Sequence, residues 1–158
     1  MIVRILDASD WQLKRDLRLE ALQDSPASFG SSFAREKDRT EDEWRSWPRS
    51  GAYFAAFDEA QTALGIAGSW IDPDASDTTN LISMWVRPEA RRRGVAGLLV
   101  AAVIAWARQQ ESARVALKVA DGNEAALQAY LRNGFRVVDY KPADACSTLL
   151  ELALQPEA

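Results

Sequence analysis

Residues 80–119 constrain the fold more than any other stretch, because they read in order as a strand, a basic turn, a long apolar helix and a second strand. The first strand covers about Asn80 to Val86 and ends in Met84-Trp85-Val86; Pro88, which lacks a ladder donor, stops it. The helix runs from Gly94 to about Glu111, with Val95, Leu98, Leu99, Ala102, Val103 and Trp106 at the period of a core-facing side. Arg114 to Val119 then alternates Val115, Leu117 and Val119 against Arg114, Ala116 and Lys118. Two strands joined by a crossover helix are expected to be parallel neighbours. The turn between them adds a chemical expectation. A helix start leaves its first amides without intrahelical partners, and together they carry roughly half a positive charge. Gly94, Val95, Ala96 and Gly97 stand at that start, with few bulky side chains to keep an anion from the backbone. Arg91, Arg92 and Arg93 add three cations beside it, so the turn predicts a phosphate or pyrophosphate site.

The rest of the chain builds around this unit. Residues 1–7 alternate as a first strand, and Ser9 to Gln12 has the form of a capping box for a helix reaching about Gln23. Leu13, Leu17 and Ala21 mark one face of that helix. Pro26 breaks the chain, and Phe29-Gly30-Ser31-Ser32-Phe33 reads as a loop flanked by aromatics. A second helix starts at Thr40, where Thr40 to Glu43 repeats the capping signature, and stops near Pro48. Strands follow at Tyr53 to Phe57 and Leu64 to Ile71, with a hairpin turn at Asp58 to Gln61. After residue 119, Asn123 opens a helix that ends at Asn133-Gly134, where glycine takes the left-handed stop. Strands at Phe135 to Tyr140 and Thr148 to Leu154 complete the chain. The order β-α-α-β-β-β-α-β-α-β-β describes one mixed α/β domain over residues 1–158.

Composition removes several chemistries. The 158 residues contain no histidine, which rules out Ser-His-Asp and Cys-His catalysis and histidine metal sites. One cysteine, Cys146, excludes an internal disulfide and a thiolate-rich zinc site, and nothing beside it in sequence activates it. No metal is expected. A net charge of −4 argues against nonspecific nucleic-acid binding. There is no apolar run long enough to span a membrane and no signal peptide, so the expected location is cytoplasmic. The final strand offers an edge through which two copies could pair as a homodimer.

The turn at Arg91-x-x-Gly94-x-Ala96, following a strand and opening a helix, resembles the acyl-CoA-binding motif of the GNAT acetyltransferases, Gln/Arg-x-x-Gly-x-Gly/Ala. The element order is similar to the GNAT fold over nearly the whole chain. The resemblance implies acetyl-CoA as co-substrate, transfer of its acetyl group to an amine of a small molecule or peptide, and pantetheine held by the backbone of Met84, Trp85 and Val86. A second stretch, Asn123 to Phe135, resembles the family's Asn, small residue, Tyr, Gly-Phe pattern. It implies that Asn123 contacts the pantetheine or phosphate region and that Tyr130 stands near the thioester sulfur to assist the leaving thiolate. On residue type alone, Asn123 is also a preferred N-cap and Tyr130 reads first as an amphipathic core tyrosine.

Many relatives carry a glutamate on the strand that is Asn80 to Val86 here, and this strand has none. Ser83 holding a water and Glu36 are the candidate substitutes for a base, though Glu36 sits among Asp38, Glu41, Asp42 and Glu43 and reads as a solvated charge. Trp85, Trp70 and the Phe29 to Phe33 loop are the candidate walls of the acceptor pocket. The competing reading is a noncatalytic acyl-CoA sensor on the same fold. A nucleotide-binding domain fits poorly, because neither a phosphate-binding Gly-Lys-Ser/Thr loop nor the dinucleotide fingerprint occurs.

Overall fold

The computed structural model describes residues 1–138 and 147–154. Among these residues seven strands form one sheet in the order β1-β2-β3-β4-β5-β7-β6. The strands are β1 (Ile2–Leu6), β2 (Gly51–Phe57), β3 (Ala63–Ile71), β4 (Thr78–Val86), β5 (Arg114–Ala120), β6 (Arg136–Val137) and β7 (Ser147–Ala153). All neighbours are antiparallel except β4 and β5, the pair joined by the helical crossover. The helices are α1 (Trp11–Asp24), α2 (Phe33–Glu36), α3 (Glu41–Ser46), α4 (Val95–Gln109) and α5 (Glu124–Arg132). The element order matches expectation apart from α2, a single turn that starts at Phe33, the last residue of the segment read as loop. Ser32 caps it by accepting from the Arg35 amide.

Alternation along the strands sends side chains to both faces. Phe54, Leu64, Leu81, Val115, Leu117 and Leu150 pack with Leu99 and Val103 of α4 and Tyr130 of α5. Tyr53, Ala55, Ile66 and Trp85 face the other way, against Leu17 and Ala21 of α1. The sheet is thus covered on both sides, which explains why β2 and β3 read as nearly continuous apolar runs.

Three boundaries depart from the sequence reading. Ser9 does not cap α1. Asp7 accepts from the Ser9 amide at 2.9 Å and Asp10 accepts from the Asp7 amide at 2.9 Å, so the capping box closes a single turn one step earlier. The strand expected at Phe135 to Tyr140 is only Arg136–Val137 among the described residues; Tyr140 and Cys146 lie outside them. β7 pairs with β5 along its whole length and with β6 at Leu150 and Glu151, so its outer edge is partly covered rather than free.

Buried Lys14 ties α3 to α1. Its Nζ donates to the carbonyls of Trp44, Arg45 and Trp47 at 3.4, 3.2 and 2.9 Å, satisfying the end of α3. Burial pulls its pKa down, opposed by the charges of Asp10 and Asp7. The bond fixes Trp47 where it borders the site described next.

Candidate active site

β4 and β5 pair only at Thr78/Arg114, Thr79/Val115 and Asn80/Ala116, then diverge. Beyond Asn80, β4 bulges against β3: Gly68 pairs with Ile82 and Ile66 with Trp85, so Ser83 and Met84 together oppose Ala67. Ser83 sits at φ 60°, a left-handed conformation uncommon for serine. The divergence opens a cleft. On the α5 side a cavity of about 100 Å³ is lined by Met84, Val119, Asn123, Ala126 and Tyr130. On the α1 side a larger one of about 420 Å³ is lined by Arg18, Gly30, Trp47, Trp70, Asn80 and Lys118. Both are bounded by Ser28, Phe29, Leu81, Ile82 and Ser83, so they are two mouths of one cleft. No carboxylate lines either cavity among the described residues.

The bulge decides where the strand residues point. Leu81 packs under α4, while Trp85, four positions on, packs on the opposite face with Leu17, Ala21 and Ile66. A regular strand would put both on one face. Trp85 is therefore not a wall of the acceptor pocket: it is buried and donates from Nε1 to Asp24 Oδ2 at 2.9 Å. Met84 and Val86 are half-buried against the apolar layer under α4. Trp70 and the Phe29 to Ser31 part of the expected loop line the α1-side cavity; Ser32 and Phe33 do not.

At the basic turn the three arginines differ. Arg91 Nη2 donates to Asp24 Oδ2 at 2.8 Å and Arg91 Nε to the Val86 carbonyl at 3.0 Å, so its guanidinium is held back along α1 and β4. Hydrogen bonds from Trp85 and Ser25, with Arg91 beside them, hold the Asp24 carboxyl below the usual carboxylate range. Arg92 and Arg93 are exposed. Gly94 is the N-cap of α4 at φ 83°, a conformation that costs other residues roughly 1–2 kcal/mol. No side chain caps this helix, and its first backbone bond is from the Leu98 amide to the Gly94 carbonyl, leaving the amides of Val95, Ala96 and Gly97 free of helix partners. Val95 is buried, and a Cβ built on Gly97 would meet no atom within 4 Å.

Asn123 caps α5, its side chain accepting from the Ala126 amide at 3.3 Å, and it also lines the cleft. Tyr130 likewise packs into the core, edge-on to Phe135 at 5.8 Å, while bounding the cleft. Burial pushes its phenol well above the usual range, so it stays protonated near neutral pH.

Glu36 is not a solvated charge. It is fully buried and bidentate with Arg18, Nε to Oε1 at 3.0 Å and Nη2 to Oε2 at 2.9 Å, with Arg39 Nη1 at 3.4 Å. Burial pushes its pKa up, and the Arg18 bonds together with the charges of Arg18 and Arg39 more than reverse this, leaving it lowered. It does not line the cleft and is no base there. Arg18 connects it to the site: Nη1 donates to Ser83 Oγ at 3.0 Å, and the guanidinium lies 4.9 Å from the Phe29 ring and 5.5 Å from the Trp47 ring. Sequence reading missed Arg18, Trp47 and Lys118. The available signal was slight: Lys14, Arg18 and Leu22 share a four-residue spacing, and on a surface helix the first two pass for solvated charges.

Comparison with known proteins bears on this arrangement. The profile of the acetyltransferase (GNAT) family matches residues 17–135. No curated protein matches the chain at the sequence level. Among solved structures, an acetyltransferase of the GNAT family from Streptococcus pneumoniae superposes with a TM-score of 0.76 at 19% identity, covering 97% of this chain and 99% of that one. yncA of Salmonella typhimurium, solved with its cofactor acetyl-CoA, superposes with a TM-score of 0.77 at 17% identity over 100% and 96% of the two chains. The paia N-acetyltransferase of Thermoplasma acidophilum, solved with coenzyme A, gives 0.69 at 17% identity over 98% and 100%. At such identities the likeness to these structures is one of fold.

Proposed function

Because the chain belongs to the GNAT acetyltransferase family, we propose that it transfers the acetyl group of acetyl-CoA directly to a primary amine in the cleft between β4 and β5. The observation that carries this reading is the cleft itself, open on both faces of the sheet, with Tyr130 on one side and a separate, larger cavity on the other. Two reactants can meet there from opposite directions. The complexes of yncA with acetyl-CoA and of the paia enzyme with coenzyme A support the choice of co-substrate.

In this reading the pyrophosphate sits over the free amides of Val95, Ala96 and Gly97 at the start of α4, with Arg92 and Arg93 adding charge. Arg91, tied to Asp24, sets the path of the turn. Pantetheine lies along the unpaired β5-facing edge of Met84 to Val86 as an added strand, and Asn123 borders it. A backbone amide at the Ser83–Met84 bulge polarises the thioester carbonyl. The amine nitrogen attacks that carbon, the new C–N bond forms and the C–S bond breaks. Tyr130 donates its proton to the departing thiolate and recovers one from water, while the nitrogen loses its proton to solvent. Among the described residues no carboxylate lines the cleft, so in this reading the amine arrives neutral.

A thermal-shift titration tests the cofactor assignment. At a concentration of one hundred times Kd, acetyl-CoA should raise the melting temperature by about 5–10 °C, and ATP or NAD should not. No shift with acetyl-CoA would remove the co-substrate from this reading. Tyr130→Phe tests the mechanism. Phenylalanine keeps the edge-on contact with Phe135, so affinity for CoA should stay within about threefold while kcat falls roughly a hundredfold. Wild-type kcat would take Tyr130 out of the chemistry.

A further inference from the structure

The acceptor side of the cleft continues outward. A second cavity of about 480 Å³, bordered by Arg39, Glu43 and Arg49, shares Trp47, Trp70 and Ile82 with the cavity that reaches Ser83. The two form one path from the surface to the bulge. Its charge opposes that of the chain. Among the described residues four cations line the path, Arg18, Arg39, Arg49 and Lys118, against one carboxylate, Glu43. Glu36, buried behind the wall, offsets one more cation. The path therefore stays positive on a chain of net charge −4.

The outer cations face the path. Arg39 is half-buried and shares Glu36, at 3.4 Å, with Arg18, so its charge is only partly offset. Arg49 is exposed and makes no ion pair among the described residues. Between these arginines and Ser83 stand the indoles of Trp47 and Trp70, walls suited to a flat or bulky apolar group. Inward, Arg18 is fixed beside Ser83 by three charge-assisted or hydroxyl bonds. Its Nε and Nη2 are committed to Glu36 and its Nη1 to Ser83, so the inner end of the path offers an ammonium no carboxylate acceptor among the described residues.

Resting on the acyl-transfer reading, we propose that the acceptor is an amino-carboxylic acid. Its amine reaches Ser83, an aromatic or bulky apolar body lies between Trp47 and Trp70, and its carboxylate meets Arg39 and Arg49. Polycationic amines such as polyamines and aminoglycosides are excluded by the same charges.

Matched pairs that differ only in the carboxylate test this: para-(aminomethyl)benzoate against benzylamine, and para-(3-aminopropyl)benzoate against phenylpropylamine, with spermidine and kanamycin alongside. Thiol release from acetyl-CoA is the readout. At least one acid should exceed its partner in kcat/KM by about tenfold to a hundredfold, the range of a charge-assisted hydrogen bond. Arg49→Glu should bring that ratio to one or below. Equal rates within both pairs, or turnover of the polycations alone, would overturn the proposal. If no amine releases thiol, the acyl-transfer reading fails, and binding to the CoA-loaded protein still decides the charge preference. Tighter binding of para-toluate than of para-methylbenzylamine supports it; the reverse, or equal affinity, overturns it.

Discussion

Gly94→Glu is expected to weaken acetyl-CoA binding by at least a hundredfold, roughly the 3 kcal/mol lost when a carboxylate occupies an anion site. Gly94 caps α4 in the left-handed conformation, and a Cβ there meets nothing within 4 Å. The glutamate therefore has room without disturbing the core, and a negative charge at a helix start is locally favourable. Its cost to the fold is the strained φ, about 1–2 kcal/mol. Its cost to binding is larger, because it covers the free amides of residues 95–97 with a like charge. Gly94→Asn is the control, since asparagine tolerates that φ and carries no charge. Calorimetric titration of both variants should show near-normal affinity for Asn and none detectable for Glu. Wild-type affinity in Gly94→Glu would place the pyrophosphate elsewhere.

Glu36→Gln should be the most damaging single change to stability, at about 3–5 kcal/mol. It leaves the Arg18 guanidinium buried with one of its three acceptors gone and no counter-charge, and Arg39 without a partner charge. Chemical denaturation measures it. The double change Arg18→Met with Glu36→Leu should recover much of that loss, because an apolar pair needs no compensation. Turnover should not return in the double variant, since Ser83 then lacks its donor. A double variant as active as wild type would confine the pair to a structural role.

The same pair sets an acid limb. The folded pKa of Glu36 lies below its ordinary value of 4.5, so between the two values the unfolded chain binds more protons and stability rises with pH. The contribution is complete above the ordinary value and is lost as pH falls through the lowered one. The stability gap between wild type and Glu36→Gln should thus be constant near neutrality and narrow below about pH 4.5. A gap that does not change with pH would mean that Glu36 is not the titrating group.

The strand–turn–helix–strand unit was legible in the sequence because its signals are local. Pro88 stops a strand, Gly94 takes a conformation that other residues avoid, and the apolar period of α4 persists for four turns. The parallel pairing of β4 and β5 followed from the handedness of the crossover. The same holds for Asn123 as a cap and Gly134 as a left-handed stop, at φ 95°.

Tertiary structure alone decided the acceptor side. The Ser83 bulge exists only in relation to β3, and it turned Trp85 from a pocket wall into a core residue bonded to Asp24. Glu36 looked like one acid among many because its partner, Arg18, is eighteen residues away on another helix. Periodicity reports which face of an element is apolar. It is silent on which charges meet when two elements pack, and burial of a charge depends wholly on that meeting. The proposed cofactor side rests on backbone conformation, which local sequence dictates, whereas the proposed acceptor side rests on side chains brought from distant positions, which only packing assembles.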